Sequence, residues 1–437
     1  MHFHPSAAEY ILQEIQQLHE EGFDVRQLEP WADAARERPE TLNHQSYREL
    51  LALAQGLPRQ AEFAYIEPSC LAGIGRERPE GPRVLPLAFS DEVLADRIRG
   101  AWLGRTAGCM LGKPVEGWSR GDIRRLLEHA GAWPLDGYFP PVESLPEGMT
   151  FVSPSDPCLR GNITHGVRDD DMDYPLIGLA CLEEAGGNLT SETVANTWLH
   201  RLPAGCVYTA ERAAYRNLVN GISPPASGVF ENPYREWIGA QIRADIWGWV
   251  SPGRPEQAAR LAFRDACVSH VKNGIYGEML FAAVLAAALA GDDVEEALWA
   301  GLSEIPRVSR LTEAITDVIE WSKTDDDWPA TMDRVFSKYG RYHPVHTINN
   351  AAVVVCGLMH SRGDFGRAIC IAVMGGIDTD CNGATAGSVM GALLGARALP
   401  AHWVDPLNDR LESIVVGMTS NRISDLAQRT LTLAKKL

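Results

Sequence analysis

No two of the nine cysteines (Cys70, Cys109, Cys158, Cys181, Cys206, Cys267, Cys356, Cys370, Cys381) stand in a C-x-x-C spacing, and their number is odd. Neither a zinc ribbon nor a disulfide framework is indicated, and a reduced, cytoplasmic location fits best. Positive charge is also in short supply. Lys and Arg number 40 against 57 Asp and Glu, for a net charge of -17, so the surface repels phosphate backbones and a nucleic-acid partner is not expected. The opening MHFHPSAAEYILQEIQQLHEEG lacks a basic segment leading into an apolar one, which argues against a secretory leader. Uncharged apolar runs such as Met279 to Gly291 and Cys381 to Ala396 fall short of the ~18 residues that a membrane span needs. They read as buried helices, and no membrane partner is expected. H-E-x-x-H and nucleophilic-serine motifs are missing, and the Gly112-Lys113 pair has neither the spacing nor the following residue of a phosphate loop.

What the chain does have is helical periodicity. Residues 6 to 20 and 45 to 56 carry apolar positions at helical spacing in polar surroundings, and a stretch rich in Pro, Gly and Arg follows from about Pro58 to Pro86. This predicts a helical N-terminal extension and connector over residues 1–90. From Asp91 to residue 437, helix follows helix and strand-like alternation is scarce, which predicts an all-α body. Two segments carry glycine every four residues: Gly100, Gly104, Gly108 and Gly112 in one, Gly383, Gly387, Gly391 and Gly395 in the other. Each interior helical glycine costs roughly 0.8 to 1 kcal/mol relative to alanine. Such stripes are tolerable where a bare face lets another backbone approach, so both are expected at tight helix contacts, conceivably with each other.

Two acidic motifs stand at expected helix starts: Asp169, Asp170, Asp171 and Asp173 in HGVRDDDMDYPLIGL, and Asp378 and Asp380 in GGIDTDCNGATAG. Aspartate there is ordinarily a cap for free backbone N–H groups. If the motifs converge, the chemistry is different, because carboxylates within about 4 Å repel at roughly 4 kcal/mol per pair at an effective dielectric near 20. Oxygen-only ligands suit hard ions, so Mg²⁺, Mn²⁺ or Ca²⁺ is favoured over zinc or copper. Two such ions could hold sugar hydroxyls and activate a water. The run Asp325, Asp326, Asp327, which leads into Trp328 and Pro329, is expected to be a solvated loop.

The segment RIRGAWLGRTAGCMLGKPVEGW resembles the opening of the ADP-ribosylglycohydrolase family, a helix ending in G-D-A-L-G-x-P-x-E. RDDDMDY resembles that family's T-D-D-T metal motif. GGIDTDCNGATAGSVMGALLGARALPAHW resembles its G-G-D-T-D-T-N-A-A-x-A-G motif with the following helix, and the likeness runs from about Asp91 to Trp403. The resemblance implies an orthogonal multi-helix bundle and a two-magnesium hydrolase acting on an ADP-ribosyl or related ribosyl conjugate. Asp169, Asp170, Asp171, Asp378 and Asp380 would be ligands, with Cys381 at a position that often completes a second ion's shell. Asp170 and Asp378 would serve catalysis, and Glu116 would gate the site or orient water. Three departures mark a divergent member: Asp169 replaces threonine and adds a charge, Cys381 places a thiol where a hard oxygen is usual, and Cys109 replaces aspartate. His270, Asn273 and Gly274 in SHVKNGIYG are candidates for substrate contact or for buried structure, and His346 in VHTINNAA for ligand contact or a helix start. Trp247 and Trp249 suit either the core or stacking on a base or sugar. The alternative functions are a non-catalytic ADP-ribose or nucleotide-sugar binding protein and an N-riboside hydrolase acting on a small metabolite.

Overall fold

Two helices that carry glycine every fourth residue set the centre of the molecule. In the computed structural model, which describes residues 5–437, helix Asp91–Gly112 and helix Thr379–Leu394 lie face to face along their glycine stripes. A Cβ built on Gly104 would fall 2.1 Å from the Gly387 carbonyl oxygen, and one on Gly387 would fall 2.1 Å from that of Gly104. Gly100 meets Gly391 and Gly108 meets Gly383 in the same reciprocal way. At one end Gly112 abuts the Thr379 carbonyl, and the Thr379 hydroxyl donates to Gly112 O at 2.8 Å. At the other end Gly395 leaves the stripe: it ends its helix at φ 79° and faces Asp96.

Helices buried on most faces surround this pair, which is why their sequences read as apolar all round. Helix Lys272–Ala288 is buried almost throughout, as is Thr347–Met359, and helix Phe365–Met374 packs beside them. The indoles of Trp247 and Trp249 lie in the core; Trp249 donates to Ser388 Oγ at 3.2 Å and Trp247 to Asp265 at 3.2 Å. Among the described residues strand is limited to one antiparallel pair, Arg410–Glu412 with Ser420–Arg422, in an otherwise all-α chain. Among the described residues no helix is long and apolar enough to cross a membrane.

The described residues before position 90 hold four α-helices: Ala7–Glu20, Glu29–Glu37, His44–Ala54 and Leu71–Glu77. Ser6 and Glu9 close a capping box at the first of them. The apolar faces of the first three gather around Tyr10, Ile11, Leu18, Tyr47 and Leu50, a cluster that takes in Ala210, Tyr234 and Trp237 of the body, while Ile74 of the fourth joins the main core. The Asp325–Asp327 run is the bend between two helices, with Asp326 and Asp327 exposed as expected, and it is also tied down. Asp327 caps helix Trp328–Tyr339, whose proline sits in the first turn, and Asp325 accepts from Thr331 and Arg334.

Candidate functional site

The glycine contact fixes where the acidic motifs go. Because the end of helix Asp91–Gly112 is clamped on the start of Thr379–Leu394, the turn after Gly112 delivers Glu116 beside Asp378 and Asp380. Two backbone bonds pin the loops together, Gly117 N to Ile377 O and Ile377 N to Trp118 O, both 2.8 Å. Ile377 sits at φ 62°, a left-handed conformation that a β-branched residue rarely adopts and that costs on the order of 1–3 kcal/mol. These two bonds hold it there. Asn350, from helix Thr347–Met359, accepts from Asp378 N at 3.3 Å and Asn382 Nδ2 at 2.9 Å, which orients the Asp378 turn.

The other acidic motif opens helix Asp170–Ala185. Asp169 is its N-cap and accepts from Asp171 N at 3.0 Å, the bond a threonine would make there. Its second oxygen is paired with Lys113 Nζ. Asp171 points inward to the fully buried Arg105, which reaches its Oδ1 at 3.0 Å, its backbone carbonyl, and Asp245 at 2.7 Å. Asp173 is tied to Arg168 at 2.8 Å and to Ile414 N at 3.0 Å, a structural post.

The motifs meet in a cleft of about 410 Å³ lined by Lys113, Glu116, Asp169, Asp170, Asp378, Asp380 and Cys381, with Arg168, Tyr208, Glu211, Trp237, Ile238 and Val345 completing its walls. Three groups of side chains bring donor atoms within 4.8 Å of one another: Glu116, Asp378 and Asp380; Asp171, Asp380 and Cys381; and Cys109, Asp169 and Asp171. Burial raises the proton affinity of Asp170, Asp171, Asp378, Asp380 and Glu116 alike, and their neighbours' negative charge adds to it. Asp171 is pushed to about 8 despite Arg105, and Glu116, at the cleft rim, to about 7 by burial and then by Asp378 and Asp169. Burial and the adjoining aspartates push the Cys381 thiol well up, so it is a protonated donor and a poor match for a hard cation. Asp380 Oδ1 is buried and has no hydrogen-bond partner. An oxygen in that state asks for a cation or a proton.

The remaining expected residues are elsewhere. His270 is buried with Nδ1 at 2.8 Å from Ser269 Oγ, and burial lowers its pKa well below the usual histidine value. Asn273 donates to Glu67 and Glu236, while Gly274 packs on the Arg235 carbonyl and the His270 ring. His346 caps helix Thr347–Met359, accepting from Ile348 N at 3.2 Å. None of the four lines the cleft. The site residues that sequence reasoning passed over are cationic or aromatic: Arg105, Lys113, Arg168 and Trp237. Lys113 directly follows the glycine stripe, and that position was its one signal.

Fold and site together define an all-α protein whose helix starts build one carboxylate-lined cleft. The chain belongs to the ADP-ribosylglycohydrolase family, whose model matches residues 90–436. It is similar to a solved structure, an ADP-ribosylglycohydrolase-related protein complex, at a TM-score of 0.47 and 20% identity over 79% of this chain and 99% of that one. No curated protein matches it.

Proposed function

We propose that the chain is a divalent-cation-assisted glycohydrolase that cleaves the anomeric bond of an ADP-ribosyl or related ribosyl conjugate. The observation that carries this reading is the convergence of Glu116, Asp378 and Asp380 around the orphaned, buried Asp380 oxygen in a family that hydrolyses such bonds. Three carboxylates with only oxygen to offer suit Mg²⁺, with Mn²⁺ or Ca²⁺ as substitutes. When bound there, the ion lowers the pKa of a coordinated water or sugar hydroxyl and holds the ribose in place.

The chain's own groups do the rest. Asp170 faces the cleft and takes part in none of the ion pairs of the described residues, so its carboxylate is available to accept a proton from the attacking water. Asp378, oriented through Asn350, fixes the position from which that water attacks. Glu116, whose proton affinity burial and Asp378 raise in the empty cleft, would be a ligand carboxylate with the ion bound, and the proton that Asp170 takes from water is the one available to the leaving group. The apolar wall of Trp237, Ile238 and Val345 excludes water and offers a surface to the remainder of the substrate.

The test is release of ADP-ribose or ribose from arginine-, serine- and acyl-linked conjugates, with Mg²⁺ and with chelator. Turnover with Mg²⁺ and none with chelator is expected. Asp378→Asn and Asp170→Asn are expected to lose at least ~10²-fold in kcat with an intact fold, since neutralising one member of a repulsive cluster relieves strain. Turnover indifferent to chelator would refute the reading, and tight ADP-ribose binding without turnover of any conjugate would make the chain a recognition module.

A further inference from the structure

The two ends of the acidic cluster are not equivalent, and the group between them, Asp171, Asp380 and Cys381, offers a soft sulfur and an aspartate already paired with Arg105. In the half formed by Cys109, Asp169 and Asp171, every carboxylate already has a cation from the protein. Asp169 is paired with Lys113 and also caps its helix, and Asp171 is paired with Arg105. Cys109 contributes sulfur, a soft donor that suits hard cations poorly. A divalent ion placed there would have to displace a tethered ammonium and share Asp171 with Arg105. In the half formed by Glu116, Asp378 and Asp380, none of the ion pairs of the described residues involves a carboxylate of the three, and Asp380 Oδ1 has no partner at all.

We propose that this chain holds a single divalent ion, on Glu116, Asp378 and Asp380, and that the Lys113 ammonium occupies the place of the second ion of a binuclear site. The inference rests on the hydrolase reading above and changes its stoichiometry. It also connects one of the sequence's departures with a neighbour in space: a helix-capping aspartate adds a negative charge at 169, and a lysine at 113 balances it without recruiting a metal. An ammonium has three N–H donors, and with one spent on Asp169 the others face the cleft that Lys113 lines. Lys113 is thereby placed to hold a substrate hydroxyl or ring oxygen that a second ion would otherwise bind. Unlike that ion, it does not dissociate and does not polarise a water, so the metal's share of water activation falls to the Asp378 half, with Asp170 as proton acceptor.

Manganese reports the count directly. The full chain is titrated with Mn²⁺ by calorimetry, its bound metal is measured after gel filtration, and the paramagnetic resonance spectrum distinguishes an isolated Mn²⁺ from an exchange-coupled pair. One ion per chain with the isolated spectrum is expected. Two ions with a coupled spectrum would overturn the inference and leave the hydrolase reading standing; no ion at millimolar Mn²⁺ would overturn both. Lys113→Met, which keeps the stem and removes the charge, is expected to admit a second, weaker ion, whereas Lys113→Arg is expected to stay at one. If Lys113→Met is folded by circular dichroism and still binds one ion, the lysine is not what excludes the second, and the assignment of Lys113 fails.

Discussion

At the scale of single residues, this molecule repeatedly buries carboxyl groups and lets their surroundings decide whether a proton, an arginine or a metal stays with them. Glu20 is an instance away from the cleft. One of its oxygens accepts from His343 N at 2.7 Å and Gln16 at 3.0 Å, while the other is buried without a partner. Burial pushes its pKa up to about 7 from the usual 4.5. The folded chain therefore keeps a proton there that the unfolded chain releases above about pH 4.5. Stability from this group is complete below that pH, declines as pH rises to about 7, and stays lower beyond it. Glu20→Gln removes the dependence. At pH 5 its melting temperature is expected to lie near that of the parent, and by pH 8 to exceed it, the gap approaching the ~1.4 kcal/mol per pH unit that one proton allows. Parallel pH profiles of the two proteins would contradict this. Sequence could show which residues are acidic and where helices start, so Asp169, Asp170, Asp378 and Asp380 were legible by type and spacing. It could not show that Lys113 meets Asp169, because that pairing spans 56 positions and carries no local pattern. Nor could it show that Asn273 is used up by Glu67 and Glu236, which come from distant segments.

Between elements the informative quantity is backbone separation. The glycine stripes were legible because a four-residue spacing on a helix has one physical use, and the pairing of the two stripes follows from their matching length. What the pattern could not reveal is that Gly395 ends its helix and that Thr379 takes the fourth contact with Gly112. The contact makes a sharp expectation for Gly104→Ala. Alanine would gain about 1 kcal/mol of helix propensity, yet its Cβ would lie 2.1 Å from the Gly387 carbonyl, an atom of backbone that cannot rotate away. The helices must part, at a cost of typically 1–3 kcal/mol or more from overpacking, so a net loss is expected. Glu116 lies on the turn just beyond the end of one of these helices and Asp378 and Asp380 at the start of the other, so weaker Mn²⁺ binding should accompany the lower melting temperature. Gly75→Ala is the control. It lies within helix Leu71–Glu77 with nothing within 4 Å of the added carbon, and it is expected to be neutral or slightly stabilising.

Across the whole molecule, the segment before residue 90 is fastened to the body at the cleft wall, and the fastening is ionic and buried. Arg310 is fully enclosed; it reaches Glu67 Oε2 at 2.8 Å, Glu236 Oε1 at 2.7 Å and the Glu20 carbonyl at 2.7 Å. Glu236 also accepts from Gln17 of the first helix at 2.7 Å, and Arg235 is held by Glu14 and Glu21. The next residue is Trp237, which lines the cleft and stacks on His343 with centroids 4.1 Å apart. The carboxylate side of the cleft has a separate support, the glycine-paired helices. Disturbing the N-terminal fastening should therefore move the wall and leave the ion site in place. Arg310→Met strands two buried carboxylates and is expected to destabilise the chain by ~3–5 kcal/mol, which a melting curve registers. Gln17→Leu is gentler, removing its bonds to Glu236 and Glu21 at a cost of about 1–2 kcal/mol. In that variant the KM for the conjugate cleaved best is expected to rise severalfold through loosening of Trp237, while the Mn²⁺ dissociation constant and kcat hold steady. A matching loss of Mn²⁺ affinity would mean that the two supports are one, and that the first ninety residues shape the ion site as well as the wall.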